Sequence, residues 1–165
     1  MKHRKYLLKT CVLLFLFVCA SAATSVYAQG GPPGDIEQTV GVGLKVLARD
    51  GSIAGFNARY WSEQNFGFEG GLLLKSHWKT IPISGLYTLT HVDTDSMYIR
   101  PYVGGGINMN FFEGTDNKIG GQGFGGAEFT VKSFPKLSFG GDLGVHSFGH
   151  GSGFMVGINV LYYLK

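Results

Sequence analysis

Near its end the chain reads His146-Ser147, then His150-Gly151-Ser152. A histidine two residues from a serine has the right types for acyl transfer, with imidazole as general base and hydroxyl as nucleophile. That chemistry also needs an acid to orient the imidazole. No Asp or Glu follows Ser152, and the nearest before the pair is Asp142. A Gly/His/Ser connection explains these residues better, and no catalytic residue is assigned. His77, His91, His146 and His150 raise zinc or copper ligation. Solvated loop histidines are the stronger reading, so neither a metal nor a cofactor is expected. Gly104-Gly105-Gly106 and Gly120-Gly121 do not form a phosphate cradle, because no helix follows either run to present its N-terminus.

The elements that hold these residues begin after a leader. Residues 1–28 carry a basic start (Lys2, Arg4, Lys5, Lys9), an apolar run from Cys11 to Ala20, and small residues up to Val26-Tyr27-Ala28. That is the pattern of a cleaved signal peptide, and the run is shorter than the ~20 residues a spanning helix needs. Of 14 Lys plus Arg and 11 Asp plus Glu, four basic groups leave with the leader, so the exported product carries net −1. No basic surface remains to argue for nucleic acid. Cys11 and Cys19 also leave, which removes disulfides and thiolate chemistry; Val18 does not suit Cys19 as a lipid acceptor. Residues 29–37, rich in Gly and Pro, read as a flexible leader to one domain, 38–165.

That domain divides into about eight alternating segments, 38–49, 52–61, 65–75, 80–91, 97–111, 121–132, 136–147 and 153–164, joined by short turns. Pro82 and Pro101 are expected near strand ends. Alternation sorts the side chains into two faces. One is apolar throughout, including Val40, Val42, Leu44, Val46, Phe139, Leu143, Phe154, Val156, Ile158 and Val160. The other carries Lys45, Arg59, Glu69, Lys75, Arg100, Glu128 and Asp142 among many glycines.

A soluble barrel has no use for so much glycine on a watered face, where Gly only weakens a strand. In a closed eight-stranded barrel the lumen is barely wide enough for side chains, and glycine leaves room for long charged ones. The fold expected is therefore all-β: an eight-stranded antiparallel up-and-down transmembrane β-barrel. Its lumen would hold a polar network of Lys45, Arg59, Glu69, Arg100, Glu128 and Asp142. The apolar face would meet lipid, with Tyr60, Trp61, Trp78, Tyr98, Tyr102, Phe134, Tyr162 and Tyr163 as interfacial girdles. Arginine at Val156 or Phe139 is then expected to block assembly, and at Gly51 to be tolerated.

Ile99-Arg100-Pro101-Tyr102-Val103-Gly104-Gly105-Gly106-Ile107-Asn108, Gly125-Gly126-Ala127-Glu128-Phe129, Leu137-Ser138-Phe139-Gly140-Gly141-Asp142-Leu143-Gly144 and the alternating final strand together resemble the small bacterial outer-membrane β-barrels, the group of the OmpA membrane domain and the OmpX/Ail-like proteins. The resemblance covers nearly all of residues 38–165, and differs at Leu164-Lys165, where that group commonly ends on an aromatic. It implies an outer-membrane location, with outer-membrane lipid and the barrel-assembly machinery as partners, and a monomer. A structural, envelope-integrity role without catalysis is the first expectation. A surface interaction protein, adhesin or host-factor binder, working through external loops is the second. More distant are a lipid A deacylase, whose His-x-Ser is similar to His150-Gly151-Ser152, and a soluble lipocalin-like binder.

Overall fold

The computed structural model describes residues 39–49, 51–62, 65–112, 114, 116–148 and 151–164. The expected signal peptide 1–28, the leader 29–37, His150 and Lys165 lie outside the described residues. The strands are β1 (Thr39–Ala48), β2 (Ser52–Trp61), β3 (Phe66–Lys75), β4 (Trp78–Thr88), β5 (Val92–Asp93), β6 (Met97–Phe112), β7 (Lys118–Val131), β8 (Leu137–Phe148) and β9 (Gly151–Leu164). All pairings are antiparallel and run in chain order, with β6 beside β4. The last strand returns to the first, from Val40↔Leu164 to Ala48↔Val156. Eight long strands thus close a barrel, and β5 is a two-residue strand against the lower end of β6.

Successive pairs around the wall run Thr39, Trp61, Gly67, Leu86, Gly104, Phe124, Gly144, Met155, and the neighbour of Met155, Val156, returns to β1 at Ala48, the far end of the strand from Thr39. This stagger tilts eight strands into a barrel whose interior side chains must fill. Large residue and glycine alternate along that row. A Cβ on Gly67 would stand 2.5 Å from the Trp61 ring, and one on Gly104 2.7 Å from both Leu86 and Phe124. Each glycine is the space its neighbour occupies.

The exterior is apolar. Leu44, Phe56, Phe68, Ile107, Phe139, Val145, Phe154, Val156 and Ile158 are all exposed, Val160 is at the edge of exposure and Leu143 is half-buried. Inside lie Leu47, Ile53, Leu73, Leu86, Phe124, Met155 and Leu161 alongside the charged residues. A small apolar core therefore shares the lumen with the polar network.

Several expectations need correction. Trp61, Trp78, Tyr102 and Tyr163 are not girdle residues: they face the lumen, Trp78 half-buried against the core and the others almost fully buried. The hydroxyl and indole groups of Trp61, Tyr102 and Tyr163 find partners there that lipid could not supply. Tyr60 and Tyr162 do face outward. Lys75 lies exposed at the end of β3, its ammonium 5.6 Å from the Trp78 ring centroid. The fourth strand begins at Trp78 and stops at Thr88, leaving His91 in the connection. Pro82 is therefore inside a strand, and the β3–β4 ladder lapses between Gly70↔Ile83 and Leu73↔Thr80, where proline has no N–H to give. Pro101 lies where the β4–β6 ladder has ended at Thr88↔Tyr102, and its carbonyl accepts from Leu89 N at 2.9 Å. Gly51 has φ of 101°, a left-handed turn conformation, so it is a strained place for arginine.

Candidate functional site

Alternation on each strand turns Lys45, Arg59, Glu69, Glu128 and Asp142 inward, and the stagger brings them to one level. Lys45 Nζ pairs with Glu69 Oε1 and lies 2.8 Å from Asp142 Oδ2. Arg59 Nε donates to Glu69 Oε2 at 2.9 Å, and Nη2 donates to the same oxygen. Arg59 Nη2 also reaches the Tyr102 hydroxyl at 3.1 Å, and that hydroxyl donates to Asp142 Oδ1. The contacts form a closed circuit, Lys45–Glu69–Arg59–Tyr102–Asp142 and back to Lys45.

A branch leaves at Arg59, whose Nη1 donates to Glu128 Oε2 at 2.9 Å. The Tyr163 hydroxyl stands 2.8 Å from both Glu128 oxygens and accepts from Trp61 Nε1 at 3.1 Å. Together these groups come from β1, β2, β3, β6, β7, β8 and β9, seven of the eight barrel strands. Arg100 stands apart from the circuit: its guanidinium lies 4.8 Å from the Trp61 ring centroid, with Arg59 at 5.9 Å from the same ring. Burying charge is costly unless every ion has partners in good geometry, and here each carboxylate has at least two. The circuit braces the wall across its diameter and fills the lumen at that level.

A second cluster lies toward the other end. Arg49 Nη2 donates to Thr80 Oγ1 at 2.9 Å and to Asn110 Oδ1 at 3.0 Å. Its guanidinium lies 5.3 Å from the Trp78 ring, which stacks on Phe112 at 5.3 Å. Between the clusters, Gln122 Nε2 donates to Ser84 Oγ at 2.6 Å, and Gln122 Oε1 accepts from Asn108 Nδ2 at 2.9 Å. The sequence reading passed over Arg49, although it shares the parity of Lys45 on β1. It sits at the strand end, where alternation is least informative.

Of the residues raised for acyl transfer, His150 lies outside the described residues. His146 faces inward, buried beside Gly153, while Ser147 accepts from Gly121 N at 3.1 Å and pairs with exposed Ser152 across the strand. No group of three or more His, Cys, Asp or Glu among the described residues is placed to hold a metal. Outside the spanning strands, His91 Nε2 lies 3.2 Å from Asn65 Oδ1, and burial together with Arg100 pushes its imidazole below the ordinary value. The opposite case is Lys132, held above its ordinary value by its hydrogen bond to Asp93 at 2.6 Å.

Among solved structures, the N-terminal β-barrel domain of Pseudomonas aeruginosa OprF aligns with a TM-score of 0.57 at 14% identity, over 78% of this chain and all of that domain. The chain has the fold of the small outer-membrane β-barrels. Neisserial surface protein A (TM-score 0.43, 16% identity, 78% of this chain and 95% of that one) and Ail of Yersinia pestis (0.39, 12%, 77% and 96%) are similar at a level that carries no weight here. No protein-family model and no curated protein matches the sequence.

Proposed function

We propose that the chain is an integral outer-membrane barrel with a structural, envelope-integrity role and a lumen closed by its own side chains, performing no reaction. The observation that carries this reading is the inversion of the two faces. Isoleucines, valines and phenylalanines cover the outside while lysine, arginine and glutamate are buried inside. A soluble barrel with that exterior would expose an apolar surface far larger than monomers tolerate. In a bilayer the same exterior is solvated by lipid, and closure leaves no unpaired strand edge in hydrocarbon.

The braced lumen supports a scaffold over a channel, since the ion-paired circuit occupies the middle of the bore. Connections at the end opposite the termini are short, spanning 49–51, 76–77, 113–117 and 149–150. They offer little surface for an adhesin. With the charges of the circuit all paired within one chain, a monomer in contact with outer-membrane lipid, delivered by the barrel-assembly machinery, is the simplest assembly. Cell fractionation with a heat-modifiability gel tests this. The expected result is an outer-membrane protein with a compact unboiled band, and a soluble periplasmic product lacking that band would refute it.

A further inference from the structure

Around the whole barrel, the outward positions of the described strands carry a single charged residue, Lys79 on β4. Its neighbours in register are Leu74 on β3 and Phe111 on β6, both exposed and apolar. Trp78 and Thr80, on either side in sequence, face the lumen. Lys79 stands one residue inside the β3–β4 turn, at the end of the barrel away from the termini. Among the described residues no acid pairs with it. Among the described residues, then, no carboxylate accounts for a cation on a surface otherwise given to lipid.

We propose that Lys79 binds a phosphate of the outer-leaflet lipid headgroup and so fixes the height of the barrel in the membrane. This rests on the outer-membrane reading above, with both termini in the periplasm. A lysine at mid-membrane costs about 2–4 kcal/mol, but near the interface the cost falls to about 0–1. There its aliphatic stem lies along apolar surface and its ammonium reaches the headgroups, where a phosphate accepts a charge-assisted hydrogen bond. Lys75 pairs with Trp78 in the same hairpin, and Lys118 pairs with Asn110, next to Phe111. Each therefore shares the inward face of its strand with a lumen residue and stands exposed at the mouth of the barrel, so of the three lysines at this end only Lys79 is directed to the lipid. The acids at this end are Asp116, exposed in the β6–β7 connection, and Asp50 and Glu113, which lie outside the described residues. Asp116 belongs to the connection and not to the outward face of a strand.

The test uses the full chain folded into phosphatidylcholine vesicles, with or without diphosphoryl lipid A, and reads the thermal loss of the compact gel band. Wild type is expected to melt higher with diphosphoryl lipid A. Lys79→Gln should lose at least half of that rise, whereas Lys79→Arg and Lys136→Gln, the latter at the opposite end, should keep it. An unchanged rise in Lys79→Gln, or an equal loss in Lys136→Gln, overturns the proposal. So does an equal rise from inorganic phosphate alone, which would mean that the site takes a free anion. Wild type that fails to enter any vesicle refutes the outer-membrane reading itself, a result distinct from insertion without a lipid effect.

Discussion

Replacing Glu69 by glutamine probes the lumen where it is most interconnected. The change keeps shape and removes one charge, and that charge serves two cations at once: Lys45 through Oε1 and Arg59 through Oε2. Removing one partner of a buried pair costs about 3–5 kcal/mol, because the other ion stays buried. Neither cation is left alone here. Lys45 keeps Asp142 at 2.8 Å and Arg59 keeps Glu128 at 2.9 Å, so the loss should fall near the lower limit, about 3 kcal/mol. Urea unfolding in micelles, followed by the fluorescence of Trp61 and Trp78, measures it. Pairing Glu69→Gln with Lys45→Met should cost less than the two changes taken separately, and the difference gives the coupling energy. A Glu69→Gln midpoint within about 0.5 kcal/mol of wild type would show that the circuit does not brace the wall.

Arginine on the lipid face should impair assembly according to depth: Val160→Arg, opposite Leu44 in the middle of β1, more than Val156→Arg, opposite its last residue Ala48, with Ser133→Arg in the β7–β8 turn as the neutral control for folding yield on gels. Gly144→Ala should destabilise by about 1–3 kcal/mol, because its Cβ would stand 2.2 Å from the Gly123 carbonyl oxygen, whereas Gly85→Ala meets nothing within 4 Å and should be neutral or slightly stabilising in the same urea assay. NMR titration should place His91 below the ordinary imidazole value, and Arg100→Gln should move it back up. Since the folded state holds that proton less tightly, the contribution of His91 to stability is present above the ordinary imidazole value and lost as pH falls below it.

The wall of the barrel was legible because period-two alternation persists over ten or more residues in each strand, and a one-residue slip would have exchanged the faces entirely. The charged residues of the lumen were legible for the same reason. What alternation cannot show is the stagger between strands, a property of pairs and not of any one segment. The circuit through Tyr102, and the branch through Tyr163 and Trp61, depend on it. An aromatic near a strand end looks the same whether it faces lipid headgroups or plugs the lumen mouth; only its parity against the charged residues of its own strand tells them apart. Tyr163 has the parity of Asn159, and Tyr102 that of Arg100, so the signal was there. Arg49 and the true start of β4 were missed because tight turns hide where pairing begins.

The ladder from Val40↔Leu164 to Ala48↔Val156 joins segments more than a hundred residues apart in the chain. Closing so long a loop is entropically costly and comes late in folding. Until the final strand arrives, β1 and β8 each offer a bare edge, and the buried ions have no sealed interior. The barrel should therefore form in one cooperative step that waits for residues 151–164. Shortened chains lacking β9 should remain as open sheets prone to pairing with one another, making this last strand the point at which quality control over the nascent protein is most decisive.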